Sequence, residues 1–138
     1  MPICFLEAPT GIRTDAKMKM MERATAALDE AYHIPDVRIF LREYPPENVS
    51  QDGRIAAEPV RPVFFIEGPP LPRIDVKRKM VEKVHAALAE AYQGITNTHE
   101  IMIFVNQYPL DNAASDGRLQ SENPQVVEAV KKATGVTR

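Results

Sequence analysis

Short apolar runs alternate with long amphipathic stretches, and the alternation occurs twice. Residues 3–8 form an apolar run ending at Pro9 and Gly11, and residues 63–67 form its partner, ending at Gly68-Pro69-Pro70. Each predicts a short strand stopped by turn-forming residues. Downstream, Met18, Met21, Thr25, Leu28 and Tyr32 fall at spacings of 3, 4, 3 and 4, and Val81, Val84, Leu88 and Ala91 form a similar series. That periodicity predicts one helix with a single apolar stripe in each half of the chain. Thr14 offers a hydroxyl N-cap to the first helix, and Asp15 places negative charge in its first turn. Residues 36–44 and 100–108, rich in Val, Ile and Phe and stopped by Pro45 and Pro109, predict the closing strands. The chain thus reads as strand, helix, strand, given twice.

The repetition is covalent as well as architectural. Residues 2–32 align on residues 62–92 at a constant offset of 60, with identities that include Pro2/Pro62, Phe5/Phe65, Glu7/Glu67, Arg13/Arg73, Asp15/Asp75 and Tyr32/Tyr92. Four inserted residues shift the offset to 64, and Phe40/Phe104, Tyr44/Tyr108, Pro45/Pro109 and Asp52-Gly53-Arg54/Asp116-Gly117-Arg118 continue the match. A tandem duplication follows, with repeats at 2–58 and 62–122 in one domain spanning 1–138. The segment 58–62 is a hinge between repeats. The fold class expected is α/β (α+β): tandem βαβ units with right-handed crossovers, giving a four-stranded sheet covered by two helices on one face. The other face is left bare and apolar, so a homo-oligomer is expected. The tail, 123–138, has no counterpart: Asn123-Pro124 reads as a cap and first-turn proline, and Gly135 as the stop of a short helix.

Composition changes the picture little. A chain of 138 residues, 44% hydrophobic and 26% charged, can bury a sizeable core. A formal charge of −2 lacks the basic stripe that a nucleic-acid surface needs. The single cysteine, Cys4, has no internal disulfide partner and fits a reducing, cytoplasmic location. No apolar run is long enough for a membrane span, and residues 3–6 are too short for a signal peptide. His33, His85 and His99 have no metal-ligand spacing, so neither a metal nor a cofactor is expected. Both Asp-Gly-Arg segments read as turns.

The candidate chemistry lies at the start, Met-Pro-Ile. A small second residue permits removal of Met1, which would leave Pro2 with a secondary α-amine. The ordinary pKa of such a group is about 7.7–8.0, and burial beside cations lowers it, so that it can act as a base near neutrality. Pro62 cannot do this, because its nitrogen is a peptide amide.

Pro2 before an apolar strand, Arg13-Thr14-Asp15 opening a helix and Val37-Arg38-Ile39-Phe40 in the next strand together resemble the tautomerase superfamily, whose simplest member is 4-oxalocrotonate tautomerase. The resemblance covers both repeats and leaves the tail unexplained. It implies a tautomerase/MIF-like fold, a trimer, Pro2 as general base and arginines that bind the carboxylates of a small-molecule substrate. By position those arginines are Arg73 first, with Arg13 and Arg38 behind it; the mirror of Arg38 is Met102. The segments Asn106-Gln107-Tyr108-Pro109 and Asp116-Gly117-Arg118-Leu119 resemble the closing part of cis-3-chloroacrylic acid dehalogenase, a fused member like malonate semialdehyde decarboxylase. Three departures bear on that likeness: Pro70 replaces one arginine of that group, Ser115 stands near its water-activating glutamate with Asp116 adjacent, and Phe104 replaces its tyrosine. The activity implied is keto-enol proton transfer on a small 2-oxo or dicarboxylic acid. The alternatives are hydration, dehalogenation or decarboxylation of a three-carbon acid with Pro2 as general acid, or a non-catalytic trimer that keeps the fold.

Overall fold

The computed structural model describes residues 2–135; the expected removal of Met1 therefore concerns a residue outside the described ones. The first repeat contributes strand β1 (Ile3–Pro9), helix α1 (Thr14–Tyr32) and strand β2 (Arg38–Tyr44), followed by a hairpin of β3 (Ser50–Gln51) and β4 (Arg54–Ile55). The second contributes β5 (Val63–Gly68), α2 (Ile74–Tyr92), β6 (Met102–Gln107) and the hairpin of β7 (Ala114–Ser115) and β8 (Arg118–Leu119), and the chain closes with α3 (Pro124–Thr134). Strands β1 and β2 are parallel, as are β5 and β6, and the two pairs join antiparallel through β1 and β5 to give the order β2-β1-β5-β6. Phe5 stands opposite Phe65 at the centre of that junction. An approximate two-fold axis therefore passes between them and exchanges the repeats.

Alternation along each strand sorts its side chains between two faces. Cys4, Leu6, Phe64 and Ile66 point into the helix layer and are fully buried. There they meet Met20, Ala24, Leu28 and Tyr32 of α1 and Met80, Val84, Leu88 and Tyr92 of α2. Each large apolar side chain so buried contributes roughly 1.5–3 kcal/mol. The buried stripe is rotated from the one expected: Met20 lies inside, whereas Met18 is 59% exposed. Small residues explain the rotation, since Ala24, Ala27 and Ala31 face the core and let α1 lie close against α2. Thr14 does not cap α1. Arg13 holds the cap position in extended conformation without a side-chain cap bond, and Arg73 does the same for α2. Because the residue after Arg73 is Ile74, the shared geometry uses no hydroxyl.

The turns and the tail follow their sequence signals. Asp52-Gly53 and Asp116-Gly117 all have positive φ, 50° and 80° in the first hairpin and 55° and 72° in the second, as a tight primed turn requires. Asn123 accepts a hydrogen bond from the Gln125 N–H at 3.1 Å, Pro124 occupies the first turn of α3, and Gly135 closes the helix at φ 74°. Val130 of α3 packs on Ile34 and Leu110, with Tyr108 alongside, in a second small core at one end of the sheet.

The face opposite the helices is open. Across it Phe40, Phe5, Phe65 and Phe104 stand in register, one per strand, with ring centroids 5.6 Å apart in the Phe5–Phe40 pair and 5.4 Å apart in the Phe65–Phe104 pair. Phe40 and Phe104, at the two edges, remain 49% and 41% exposed.

Candidate active site

The antiparallel junction decides what lies near Pro2. Ile3 pairs with Glu67 on one side and with Arg38 on the other, so the start of β1, the start of β2 and the end of β5 meet at one end of the sheet. Pro2 is buried there, and its carbonyl accepts a hydrogen bond from the Arg38 N–H at 3.3 Å. Beside it opens a cleft of about 320 Å3 lined by Ile3, Asp36, Arg38, Glu67, Tyr108, Gln120 and the start of the second hairpin at Ala113, Ala114 and Ser115.

The Pro62 end is built the same way with different chemistry. The Pro62 carbonyl accepts from the Met102 N–H at 3.2 Å. A cleft of about 250 Å3 is lined by Val63, Glu100, Met102, Val49 and Gln51, the counterparts of Ile3, Asp36, Arg38, Ala113 and Ser115. Ala57 and residues 58–61 of the hinge line it too, and Arg61 is held by Glu58 and, at 3.5 Å, by Glu100. Here an apolar methionine replaces the Pro2 end's arginine.

Of the three arginines singled out from sequence, the structure brings one into the Pro2 cleft. Arg38 lies on its wall, with its Nε 3.3 Å from Asp36 Oδ1. Arg73 follows β5, whose end reaches Ile3, and so stands at the Pro2 end of the sheet; its side chain is 71% exposed and bound to Asp75 at 2.6 and 3.2 Å. Arg13 follows β1, whose end reaches Val63, and stands at the Pro62 end, bound to Asp15 at 2.5 and 3.1 Å. These guanidiniums hold both aspartates below the usual carboxylate range. A larger depression of about 500 Å3 beside Arg13, Lys19 and Arg23 lies between α1 and α2, but Lys19 and Arg23 are spent on Glu90 and Arg13 on Asp15.

Sequence reading named neither Glu67 nor Tyr108 as a candidate site residue. Glu67 accepts a hydrogen bond from Asn106 Nδ2 at 2.8 Å. Burial raises the Tyr108 phenol above its ordinary value, and the Glu67 carboxylate adds to the rise, so Tyr108 is a neutral hydroxyl at physiological pH. Behind this wall the Tyr32 hydroxyl is buried without a hydrogen-bond partner and reaches the sheet at Gly68, where an added Cβ would lie 2.8 Å from it. Burial, with the Glu67 charge second, pushes the Cys4 thiol up to about 12, so it is no thiolate nucleophile. The available signal was alternation: Glu7 and Glu67 share a strand face with the paired phenylalanines. Among the described residues no group of three or more His, Cys, Asp and Glu side chains could hold a metal, and no helix is long and apolar enough to cross a membrane.

No protein-family model matches the chain, and no curated protein sequence does. Solved structures do match its fold. A native fused 4-OT is 20% identical with a TM-score of 0.74, over 85% of this chain and 94% of that one. A member of the cis-3-chloroacrylic acid dehalogenase family is 14% identical with a TM-score of 0.69, over 97% and 99% of the two chains. A fused 4-OT described as a symmetric trimer is 14% identical with a TM-score of 0.72, over 85% of this chain and 94% of that one. The chain therefore has the tautomerase-superfamily fold in its fused, double-βαβ form.

Proposed function

We propose that the chain is a tautomerase-like enzyme in which Pro2, freed by removal of Met1, is the general base for keto-enol proton transfer on a small 2-oxo or dicarboxylic acid. The observation that carries this reading is the pairing of Pro2 with Arg38 at one end of the sheet, where the other end pairs the amide of Pro62 with Met102. Arg38 would bind the substrate carboxylate, and its charge would stabilise the enolate formed when Pro2 takes a proton from carbon. The proton returns at another carbon, so the base is regenerated. Arg73 and, further off, Arg13 are the other two candidate arginines, both at helix starts. Pro2→Ala should lower kcat/KM for tautomerisation of a 2-oxo acid enol by about 10²-fold or more, whereas Pro62→Ala should leave it nearly unchanged. A wild-type chain no faster than its Pro2→Ala variant would sink the reading.

Fold similarity over 97% of the chain to a member of a dehalogenase family supports a second reading, hydration, dehalogenation or decarboxylation with protonated Pro2 as acid. The pH profile separates them: activity rising through a depressed pKa marks a base, and activity falling through a raised one marks an acid. For assembly we propose a homotrimer in the cytoplasm with the phenylalanine-lined faces turned inward. Two exposed edge rings on an uncovered sheet face support it, as do the fused 4-OT structures described as symmetric and asymmetric trimers. Sedimentation at micromolar concentration should give three chains per particle; a monomer would contradict it.

A further inference from the structure

The duplication provides its own control for one residue of the Pro2 cleft. Glu7 and Glu67 are counterparts on β1 and β5, yet their neighbours differ. Glu7 is engaged by Arg42, at 2.8 Å from Nε and 2.6 Å from the terminal nitrogen, and by the Tyr44 hydroxyl. Burial pushes its carboxyl up, but these hydrogen bonds and the Arg42 charge outweigh burial and hold it below the usual range. In the second repeat the arginine's place is taken by Asn106, which donates a neutral hydrogen bond to Glu67 at 2.8 Å. Glu7 is thus an ion-paired carboxylate, whereas Glu67, on the wall of a cleft, has no ion pair among the described residues.

Position makes that charge consequential. Arg38 and Glu67 flank Ile3 on neighbouring strands of the open face, so their Cα atoms stand about 10 Å apart, two strand spacings. A four-carbon acid anchored on Arg38 would extend towards Glu67. Among the described residues the nearby arginines are engaged: Arg38 itself is shared with Asp36, Arg73 is bound to Asp75, and Arg118 of the adjoining hairpin donates to the Glu122 carbonyl at 2.7 Å. We infer that Glu67 is a specificity-determining residue of the Pro2 cleft, selecting small acids with a single carboxylate and rejecting dicarboxylates by repulsion of the second charge. This narrows the substrate class of the proposed reaction and rests on that reading for the location of the site, although not on Pro2 acting as a base.

Binding of crotonate and of fumarate to the full chain at pH 7 provides the test. The two are close in length and shape, and differ in the methyl or second carboxylate at the far end. The wild type should bind crotonate at least about tenfold more tightly, the scale of one like-charge contact near a protein surface. Glu67→Gln, which keeps an oxygen acceptor for Asn106, should shrink that ratio about tenfold by strengthening fumarate. Glu7→Gln, the mirror change, should leave the ratio as it is. Fumarate binding as tightly as crotonate in the wild type, an unchanged ratio in Glu67→Gln, or no binding of either acid would overturn the inference. The same preference measured in Pro2→Ala keeps the two ideas apart: if it persists while Pro2→Ala is fully active, the base assignment fails and the selectivity stands.

Discussion

The two repeats are nearly one structure and plainly two chemistries. Each has the same strand pairing, the same phenylalanine on each strand of the open face, the same arginine and aspartate at the helix start and the same Asp-Gly hairpin. The differences gather where the repeats could each have made a site. At the Pro2 end stand Arg38, Asp36 and Glu67 with Asn106; at the Pro62 end stand Met102, Glu100 and Glu7 with Arg42. Duplication explains the frame, and divergence at these few positions leaves an arginine at the Pro2 end where the Pro62 end has a methionine. The antiparallel β1–β5 junction adds a twist, because each end mixes residues of both repeats: the Pro2 end takes Arg38 from the first and Glu67 and Tyr108 from the second.

The arginines offer the sharpest way to break this comparison. A charge-assisted hydrogen bond to a carboxylate is worth roughly 1.5–3 kcal/mol, so Arg38→Ala should lower kcat/KM about ten- to more than a hundredfold, whereas Met102→Ala at the mirror position should change it little. Steady-state kinetics on one 2-oxo acid decides it, and equal losses from both variants would erase the distinction between the ends. By the same logic Arg73→Ala should cost more than Arg13→Ala, because only Arg73 follows the strand that ends beside Ile3.

A smaller effect concerns packing beneath the site. Ala8 carries a Cβ where its counterpart Gly68 carries none, and at Gly68 the Tyr32 ring fills the space. Gly68→Ala should therefore destabilise the fold by about 1–3 kcal/mol, the usual scale for overpacking. Adding Tyr32→Phe should recover part of the loss, since it removes the hydroxyl 2.8 Å from the new Cβ and a buried group that has no partner. Urea unfolding reads both, and a fully stable Gly68→Ala would show that Tyr32 yields freely.

Most of the fold was legible because duplication and periodicity are local signals. The end of β2, both tight turns and the α3 caps follow from residues such as Pro45, Gly53, Asn123 and Gly135, each of which acts on its own backbone. Helix rotation was not legible: alanines are weak markers of burial, and only the approach of α1 to α2 shows that Ala24 and Ala27 face inward and Met18 outward. Of the candidate site, Pro2 and Arg38 stood out as chemistry-bearing residues, but their neighbours depend on the pairing of Ile3 with Glu67, a contact between residues far apart in the chain. For the same reason no local pattern placed Arg38 and Glu67 together on the wall of one cleft.

The central claim is that one proline of a matched pair is a base, and its nitrogen can be titrated directly. In chain with Met1 removed, 15N-labelled at proline, NMR should show the Pro2 nitrogen losing its proton below the ordinary α-amine range of about 7.7–8.0, because burial disfavours the protonated form more than the Glu67 carboxylate opposite Ile3 favours it. The Pro62 nitrogen should not titrate. A Pro2 pKa at or above the ordinary value, or a Pro2 nitrogen that stays an amide because Met1 is retained, would contradict the account.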